Sequence, residues 1–199
     1  DFAALPFDHL VFTGSTAVGR KVAQVAAAQL TPTTLELGGK SPCILSADAD
    51  VASAARKIAH GKLLNAGQTC IAPDYLLLPH GHEAAFLAAY RAAVAQLFPT
   101  LWGNPDYAAI LTPRHHARLL QLLQQAQSLG AQVLTIEPAP TQPRPETQSH
   151  LGEGISRQMA PTLVLGATPA MQLMQEEIFG PILPVLTYTR LDEAIAHIN

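Results

Sequence analysis

The stretch that decides the fold is residues 9–37, which read HLVFTGSTAVGRKVAQVAAAQLTPTTLEL. Residues 9–13 are an apolar run typical of a short buried strand, and a turn with two glycines follows them. The alanine-rich stretch after the turn predicts a helix to about Leu30, where Thr31-Pro32 ends it. Residues 33–37 predict a second strand. A strand, a helix and a strand in succession indicate an α/β protein with parallel strand pairing.

The same alternation continues along the chain. The further strands are predicted near residues 43–45, 75–78, 132–136, 162–165 and 182–188, and the further helices at 51–64, 82–97 and 113–129. Asp48-Ala49-Asp50 supplies the cap of the first of these helices. Residues 137–154 carry four prolines and few apolar side chains, so we predict a loop there. The whole pattern predicts a parallel sheet with helices on its faces.

The composition excludes several classes of protein. Hydrophobic residues make up 48% of the 199 residues and charged residues 14%, which indicates a globular chain. The net charge is −3 and the lysines and arginines are scattered, so nothing indicates nucleic-acid binding. The sequence shows no signal peptide and no apolar run of about 18 residues that would span a membrane. Two cysteines are too few for a disulfide framework, and we expect a cytoplasmic location.

Both ends of the chain read as parts of longer elements. The first five residues look like the tail of an element already under way. Residues 191–199 predict an amphipathic helix without a clear stop signal. We therefore expect the chain to be an internal fragment of a longer protein.

Two features of the first 40 residues are candidates for chemistry. The turn Gly14-Ser15-Thr16-Ala17-Val18-Gly19 precedes a helix start, where free N–H groups attract an anion and small residues let a pyrophosphate approach. Its spacing differs from the G-x-G-x-x-G dinucleotide fingerprint, and backbone requirements alone explain the glycines equally well. Glu36 lies between two leucines. It either faces outward on an alternating strand or is a partly buried general base.

The two cysteines have different surroundings in the sequence. Cys70 ends the run Asn65-Ala66-Gly67-Gln68-Thr69-Cys70, and a turn of small and polar residues favours a reactive thiolate. Cys43 lies between Pro42 and Ile44 in a predicted strand, which is typical of an inert core thiol. The sequence therefore favours Cys70 as the candidate nucleophile.

Residues 176–181, EEIFGP, join two acids and an aromatic ring to a Gly-Pro turn. One reading is a turn with two solvated carboxylates. The other is a carboxylate that binds a sugar hydroxyl beside a ring that packs on a flat cofactor. His115 and His116 are neighbours on a predicted helix, so they point in different directions and cannot chelate one metal. We predict no metal site.

Taken together and in this order, four stretches resemble the aldehyde dehydrogenase superfamily. They are FTGSTAVG at 12–19, LELGGKSP at 35–42, NAGQTC at 65–70 and EIFGP at 177–181. The resemblance spans nearly the whole chain. Further detail at 60–65, 72–75 and 103–107 is similar to the coniferyl aldehyde dehydrogenase branch.

The resemblance implies a parallel-sheet, three-layer α/β fold that is incomplete at both ends. Residues 1–37 would be the C-terminal part of an NAD(P)-binding domain, and residues 38–199 most of the catalytic domain. The whole protein would be a homodimer or homotetramer that oxidises an aldehyde, either coniferyl aldehyde-like or long and aliphatic, with NAD or NADP. Family segments upstream and downstream are absent, so we expect the chain alone to be inactive.

The same resemblance assigns roles to individual residues. Cys70 would attack the aldehyde to give a thiohemiacetal and then a thioester, with its backbone N–H on the oxyanion. Glu36 would activate the water that releases the acid. The residues expected to bind the cofactor are Gly14 and Ser15 at the pyrophosphate, Val18, Leu37, Gly38, Glu177 at the nicotinamide ribose, and Phe179 beside the nicotinamide.

Three other functions fit the sequence less well. A thiol acyltransferase or thioesterase would have no use for the 14–19 turn or for residues 177–179. Relatives that pass the acyl group to coenzyme A or phosphate do not need a base that activates water. Glu36 is such a base, so its presence favours hydrolysis. A non-catalytic relative would be expected to lose either Cys70 or Glu36, and both are present.

Overall fold

The computed structural model describes residues 2–138 and 157–199. The chain forms two compact units, Asp1–Gly39 and Lys40–Asn199. The functional assignment of residues 1–37 and 38–199 to a nucleotide-binding and a catalytic domain stays a prediction. Of the loop predicted at 137–154, the part from residue 139 onward lies outside the described residues.

The first unit is a strand–helix–strand arrangement. Its elements are β1 (Leu10–Gly14), α1 (Thr16–Ala27) and β2 (Thr33–Leu37), preceded by a 3-10 turn at Phe2–Ala4. β1 and β2 pair in parallel, with Leu10 opposite Thr33 and Gly14 opposite Leu37. Ser15 caps α1, since its side chain accepts a hydrogen bond from the Val18 N–H.

The second unit contains a five-stranded sheet in the order β3-β4-β7-β6-β5. The strands are β3 (Pro42–Ile44), β4 (Tyr75–Pro79), β5 (Gln132–Thr135), β6 (Thr162–Leu165) and β7 (Ile182–Tyr188). The helices are α2 (Val51–Leu63), α3 (Glu83–Leu97), α4 (Pro113–Ser128), α5 (Gln172–Gln175) and α6 (Leu191–Ile198). A 3-10 turn at Leu64–Gly67 follows α2 directly.

Helices cover both faces of this sheet, so the unit has three layers. One face carries alternate residues such as Leu76 and Leu163, which pack with α2 and α3. On the other face Val164 and Ile182 pack with α4 and α5, and Leu77 packs with Ala194 of α6. β4 is buried along its entire length, as expected for a strand with helices on both sides. The predicted layered α/β fold is confirmed.

The structure differs from the sequence predictions at three places. α1 ends at Ala27 rather than near Leu30, because Leu30 takes a left-handed φ of 56° that closes the helix. β5 pairs antiparallel with β6, so the edge strand departs from the parallel pattern. The four-residue helix α5 was not predicted, since one helical turn is too short to show a periodic pattern.

Candidate active site

The candidate cofactor-binding residues of the first unit gather where β1 and β2 end. Gly14 ends β1 opposite Leu37, which ends β2, and Gly38 follows directly. Ligands of open α/β sheets bind at the carboxyl ends of parallel strands, and this is that end. Ser15 and Val18 lie in the first turn of α1 and are exposed.

The start of α1 has the chemistry of an anion site. Its first turn contains no acidic residue that would repel a phosphate, and helix N–H groups carry partial positive charge. At Gly14 a Cβ atom would come 2.7 Å from the Phe12 ring, which favours glycine at this position. At Gly19 a Cβ would come 2.6 Å from the Leu37 side chain, so α1 packs closely on β2. Small residues thus leave the backbone of this turn accessible.

Glu36 is exposed on β2, where the burial of the side chains alternates from residue to residue. Leu35 and Leu37, on either side of it, point to the opposite face and are half-buried. In the pairing register Glu36 lies opposite Thr13 of β1. Of the two interpretations left open by the sequence, the exposed side chain agrees with a Glu36 that faces outward on an alternating strand. The role of Glu36 as a base stays a prediction.

Cys70 is exposed and follows a turn with unusual backbone geometry. Asn65, Ala66 and Gly67 take left-handed φ values of 52°, 53° and 77° in succession. Side chains other than glycine seldom adopt this conformation, and such strain clusters at functional sites. The turn thus presents Cys70 at the surface through a backbone held in a strained form.

Gln68 holds this turn in place from inside the protein. Its side-chain amide donates to the carbonyls of Asn65 (3.0 Å) and Ala109 (3.1 Å), and its side-chain oxygen accepts from the Leu111 N–H (2.9 Å). Gln68 is buried, so each of these hydrogen bonds satisfies a group that would otherwise be costly to bury. The hydrogen bonds tie the turn to a loop some 40 positions away.

The other cysteine, Cys43, has the environment of an inert thiol. It lies on β3, is half-buried, and packs against the core beneath α2 and α3. Burial raises the pKa of the Cys43 thiol, so the nucleophilic thiolate is disfavoured there. The difference in surroundings between the two cysteines is the one expected from the sequence.

Residues 177–179 lie beside the Cys70 turn. A Cβ atom on Gly67 would come only 2.3 Å from the carbonyl oxygen of Gly180, so the two backbones are in direct contact. Asp74, four residues after Cys70, accepts a hydrogen bond from the Ile178 N–H at 2.9 Å. The structure therefore brings the turn of Cys70 together with Glu177 and Phe179.

Charged residues without an assigned role in the sequence support this arrangement. Lys40 forms an ion pair with Asp74 and donates to the carbonyls of Leu173 (2.8 Å) and Glu176 (3.2 Å). Lys40 and Asp74 were within the stretches that resemble the family, but nothing local to them indicated a partner 34 positions away. Their contribution follows only from the tertiary structure.

Lys62 is a buried lysine close to the same charges. Its Nζ atom has no hydrogen-bond partner among residues 2–138 and 157–199. Burial is the main cause that lowers the Lys62 pKa to about 8, and the charge of Lys40 lowers it further. The carboxylates of Asp74 and Glu177 act in the opposite direction. The final residues of α2 thus place an amine of perturbed pKa beneath the candidate site.

A family model described as "Aldehyde dehydrogenase family" matches residues 4–199. The chain belongs to the aldehyde dehydrogenase family. The similarity to the coniferyl aldehyde dehydrogenase branch is also confirmed: the probable coniferyl aldehyde dehydrogenase of Caulobacter vibrioides is 48% identical over 202 residues. That match covers 100% of this chain and 39% of the relative, so the chain spans about two fifths of that relative's length.

Solved structures of aldehyde dehydrogenases have the same fold. AldH of Staphylococcus aureus, in a substrate-bound state, matches with a TM-score of 0.83 and 38% identity over 99% of this chain and 40% of its own. A mutant of aldehyde dehydrogenase C from Pseudomonas syringae, in complex with NAD+ and octanal, matches with a TM-score of 0.81 and 30% identity. This second match covers 98% of this chain and 39% of the other.

Within 2–138 and 157–199 there is no group of three or more His, Cys, Asp and Glu residues that could hold a metal ion. His115, one of the two adjacent histidines of α4, instead directs Nε2 at the carbonyl oxygen of Phe179, at 2.7 Å. No helix in the described part of the chain is both long and apolar enough to cross a membrane.

Proposed function

We propose that the whole protein that carries this chain oxidises an aldehyde to a carboxylic acid, with NAD or NADP as oxidant and Cys70 as nucleophile. The observation that carries the proposal is the exposed Cys70 on a strained turn in backbone contact with Gly180, next to Glu177 and Phe179. Membership of the aldehyde dehydrogenase family supports it. The buried surroundings of Cys43 argue against that residue as the nucleophile.

The residues present fit a dinucleotide. The start of α1, open and without a carboxylate in its first turn, suits a pyrophosphate on Gly14 and Ser15, with Val18 packed against the cofactor. The residues that would hold the nicotinamide end are Leu37 and Gly38 through their backbone, Glu177 at the ribose, and Phe179. When bound, the cofactor supplies an acceptor for a hydride from the substrate.

The chemistry on the protein begins at Cys70. Its thiolate attacks the aldehyde carbonyl, a carbon–sulfur bond forms, and the carbonyl oxygen takes up the negative charge. The backbone N–H of Cys70 donates a hydrogen bond to that oxygen. Loss of the aldehyde hydrogen, with both electrons of its C–H bond, leaves a thioester on Cys70.

Glu36 completes the reaction as a general base. It removes a proton from water, and the resulting hydroxide attacks the thioester carbonyl. The carbon–sulfur bond then breaks, the carboxylic acid leaves, and the Cys70 thiolate is regenerated. A carboxylate with access to solvent suits this task, since its substrate is water, and Glu36 is exposed on β2.

Three substitutions in the whole protein test this proposal. Cys70→Ser should lower aldehyde oxidation by on the order of a thousandfold or more, because the nucleophile is lost. Glu36→Gln should form the thioester but release acid slowly, so that acyl-enzyme accumulates and is visible by mass spectrometry. Cys43→Ser is the matched control and should keep its activity. Full activity in the Cys70→Ser protein would overturn the proposal.

For the substrate we propose an aromatic aldehyde of the coniferyl type. The 48% identity to the probable coniferyl aldehyde dehydrogenase of Caulobacter vibrioides supports this choice. A long aliphatic aldehyde is the alternative, and octanal is the compound named for the Pseudomonas syringae structure. The ratio kcat/KM should be higher for coniferyl aldehyde than for octanal, and the reverse order would contradict the choice.

A further inference from the structure

Residues 177–179 have no regular secondary structure. They connect the region of α5 to β7, and Glu177 and Phe179 are both half-buried. Backbone groups in such a segment have no helix or sheet partners and must be satisfied by side chains or water. The conformation of the segment therefore depends on the groups that surround it.

One face of α4 supplies those groups. Arg118 donates to the carbonyl oxygen of Glu177 at 2.7 Å and to that of Ile178 at 3.0 Å. His115 donates from Nε2 to the carbonyl oxygen of Phe179 at 2.7 Å. His115 and Arg118 are three positions apart, so they lie on the same side of the helix. Together they bind three successive carbonyls.

The segment they hold is not in a relaxed conformation. Phe179 has a φ of 56°, a left-handed value that a residue with a side chain seldom adopts without outside support. The His115 ring also packs edge-on against the Phe179 ring, with 6.2 Å between centroids. Because the carbonyl oxygen is only an acceptor, the His115 Nε2 atom must carry the proton. Burial lowers the His115 pKa, which favours the neutral ring.

We propose that His115 and Arg118 are positioning residues that set the backbone of residues 177–179 and so aim Glu177 and Phe179 at the nicotinamide end of the cofactor. This inference rests on the proposed function. It assigns a task to two residues of α4 that would act on the cofactor through the backbone of residues 177–179.

Binding of NADH and of ADP to the whole protein tests this inference without turnover. ADP shares the adenosine and pyrophosphate groups of NADH but has no nicotinamide. His115→Leu should weaken NADH binding about tenfold, the effect of one lost hydrogen bond on a dissociation constant. Arg118→Met should weaken it by at least as much, because Arg118 donates to two carbonyls. ADP binding should be unchanged, and His115→Gln should restore most of the NADH affinity, because its amide can donate to the same carbonyl.

The control variant is Arg114→Met. Arg114 is an exposed arginine in the first turn of α4, and its replacement should leave both dissociation constants unchanged. Unfolding temperatures measured in parallel show whether each variant is folded. If His115→Leu binds NADH like the unaltered protein, or weakens NADH and ADP equally, the positioning role is wrong. If the unaltered protein binds neither NADH nor NADPH, the proposed function fails, and this inference fails with it.

Discussion

Gly67→Ala tests how closely the turn before Cys70 packs against Gly180, two residues before β7. Gly67 has a φ of 77°, and a Cβ atom there would come 2.3 Å from the carbonyl oxygen and 2.6 Å from the carbonyl carbon of Gly180. Nonbonded atoms do not approach each other this closely, and the atoms that the Cβ would meet belong to the backbone rather than to a flexible side chain. Either the turn or the Gly180 backbone must therefore move.

The expected loss of stability has two parts. A left-handed conformation costs roughly 1–2 kcal/mol for alanine. Displacing a packed backbone to relieve overlap costs roughly 1–3 kcal/mol more. We therefore expect Gly67→Ala to lower the free energy of unfolding by about 2–5 kcal/mol, a large part of the roughly 5–15 kcal/mol that a domain possesses.

Gly103→Ala is the matched control for the cost of the left-handed conformation. Gly103 has a nearly identical φ of 73°, but a Cβ atom there would meet nothing within 4 Å. Urea unfolding followed by circular dichroism should show a loss of roughly 1–2 kcal/mol for Gly103→Ala and a clearly larger one for Gly67→Ala. Equal losses in the two variants would refute the argument that the two backbones are in contact.

Two further predictions concern buried polar side chains near the site. Lys62 has a folded-state pKa of about 8, below the ordinary value of 10.5. Between these pH values the unfolded state binds more protons than the folded state, so the free energy of unfolding should rise with pH across that range. At pH 7, Lys62→Met should therefore raise the free energy of unfolding by up to about 3 kcal/mol, and Lys57→Met, at an exposed site on the same helix, should have little effect. An unfolding midpoint that Lys62→Met leaves unchanged at pH 7 would contradict this. Gln68→Leu removes the hydrogen bonds of the Gln68 side chain, so it should lower the free energy of unfolding by roughly 1–3 kcal/mol. It should also change the rate at which iodoacetamide alkylates Cys70. An unchanged alkylation rate would show that the turn does not depend on Gln68.

The elements of the first 40 residues could be predicted from sequence because their signals are local. β2 occupies residues 33–37 as predicted, since a β-branched start, an alternating pattern and two following glycines all indicate the same bounds. The sequence predicts the end of α1 about three residues later than Ala27, where the structure has it. The left-handed conformation of Leu30 that ends the helix has no signature in a leucine.

Some residues of the candidate site could likewise be predicted from the sequence and others could not. Cys70 and Glu177 lie in short stretches whose composition is unusual on its own, so both could be proposed from sequence. Arg118 and His115 could not, because isolated charged residues on a helix are more often solvated. Their partners are about 60 positions away, and only the packing of α4 against residues 177–179 brings them together. The pair His115-His116 in the sequence suggests at most a metal ligand, and gives no sign of a contact with Phe179.

The strained turn of Cys70 and the strained Phe179 have a common physical explanation. Left-handed residues other than glycine raise the free energy of the folded state, and each of the two segments is hydrogen-bonded to a distant part of the chain. Gln68 links the Cys70 turn to residues 109–111, and α4, which begins only two residues later, holds residues 177–179. The loop before α4 and the start of α4 therefore support both halves of the candidate site. Displacement of α4 should accordingly change the backbone conformation at Cys70 and at Phe179 together, although neither residue is part of that helix.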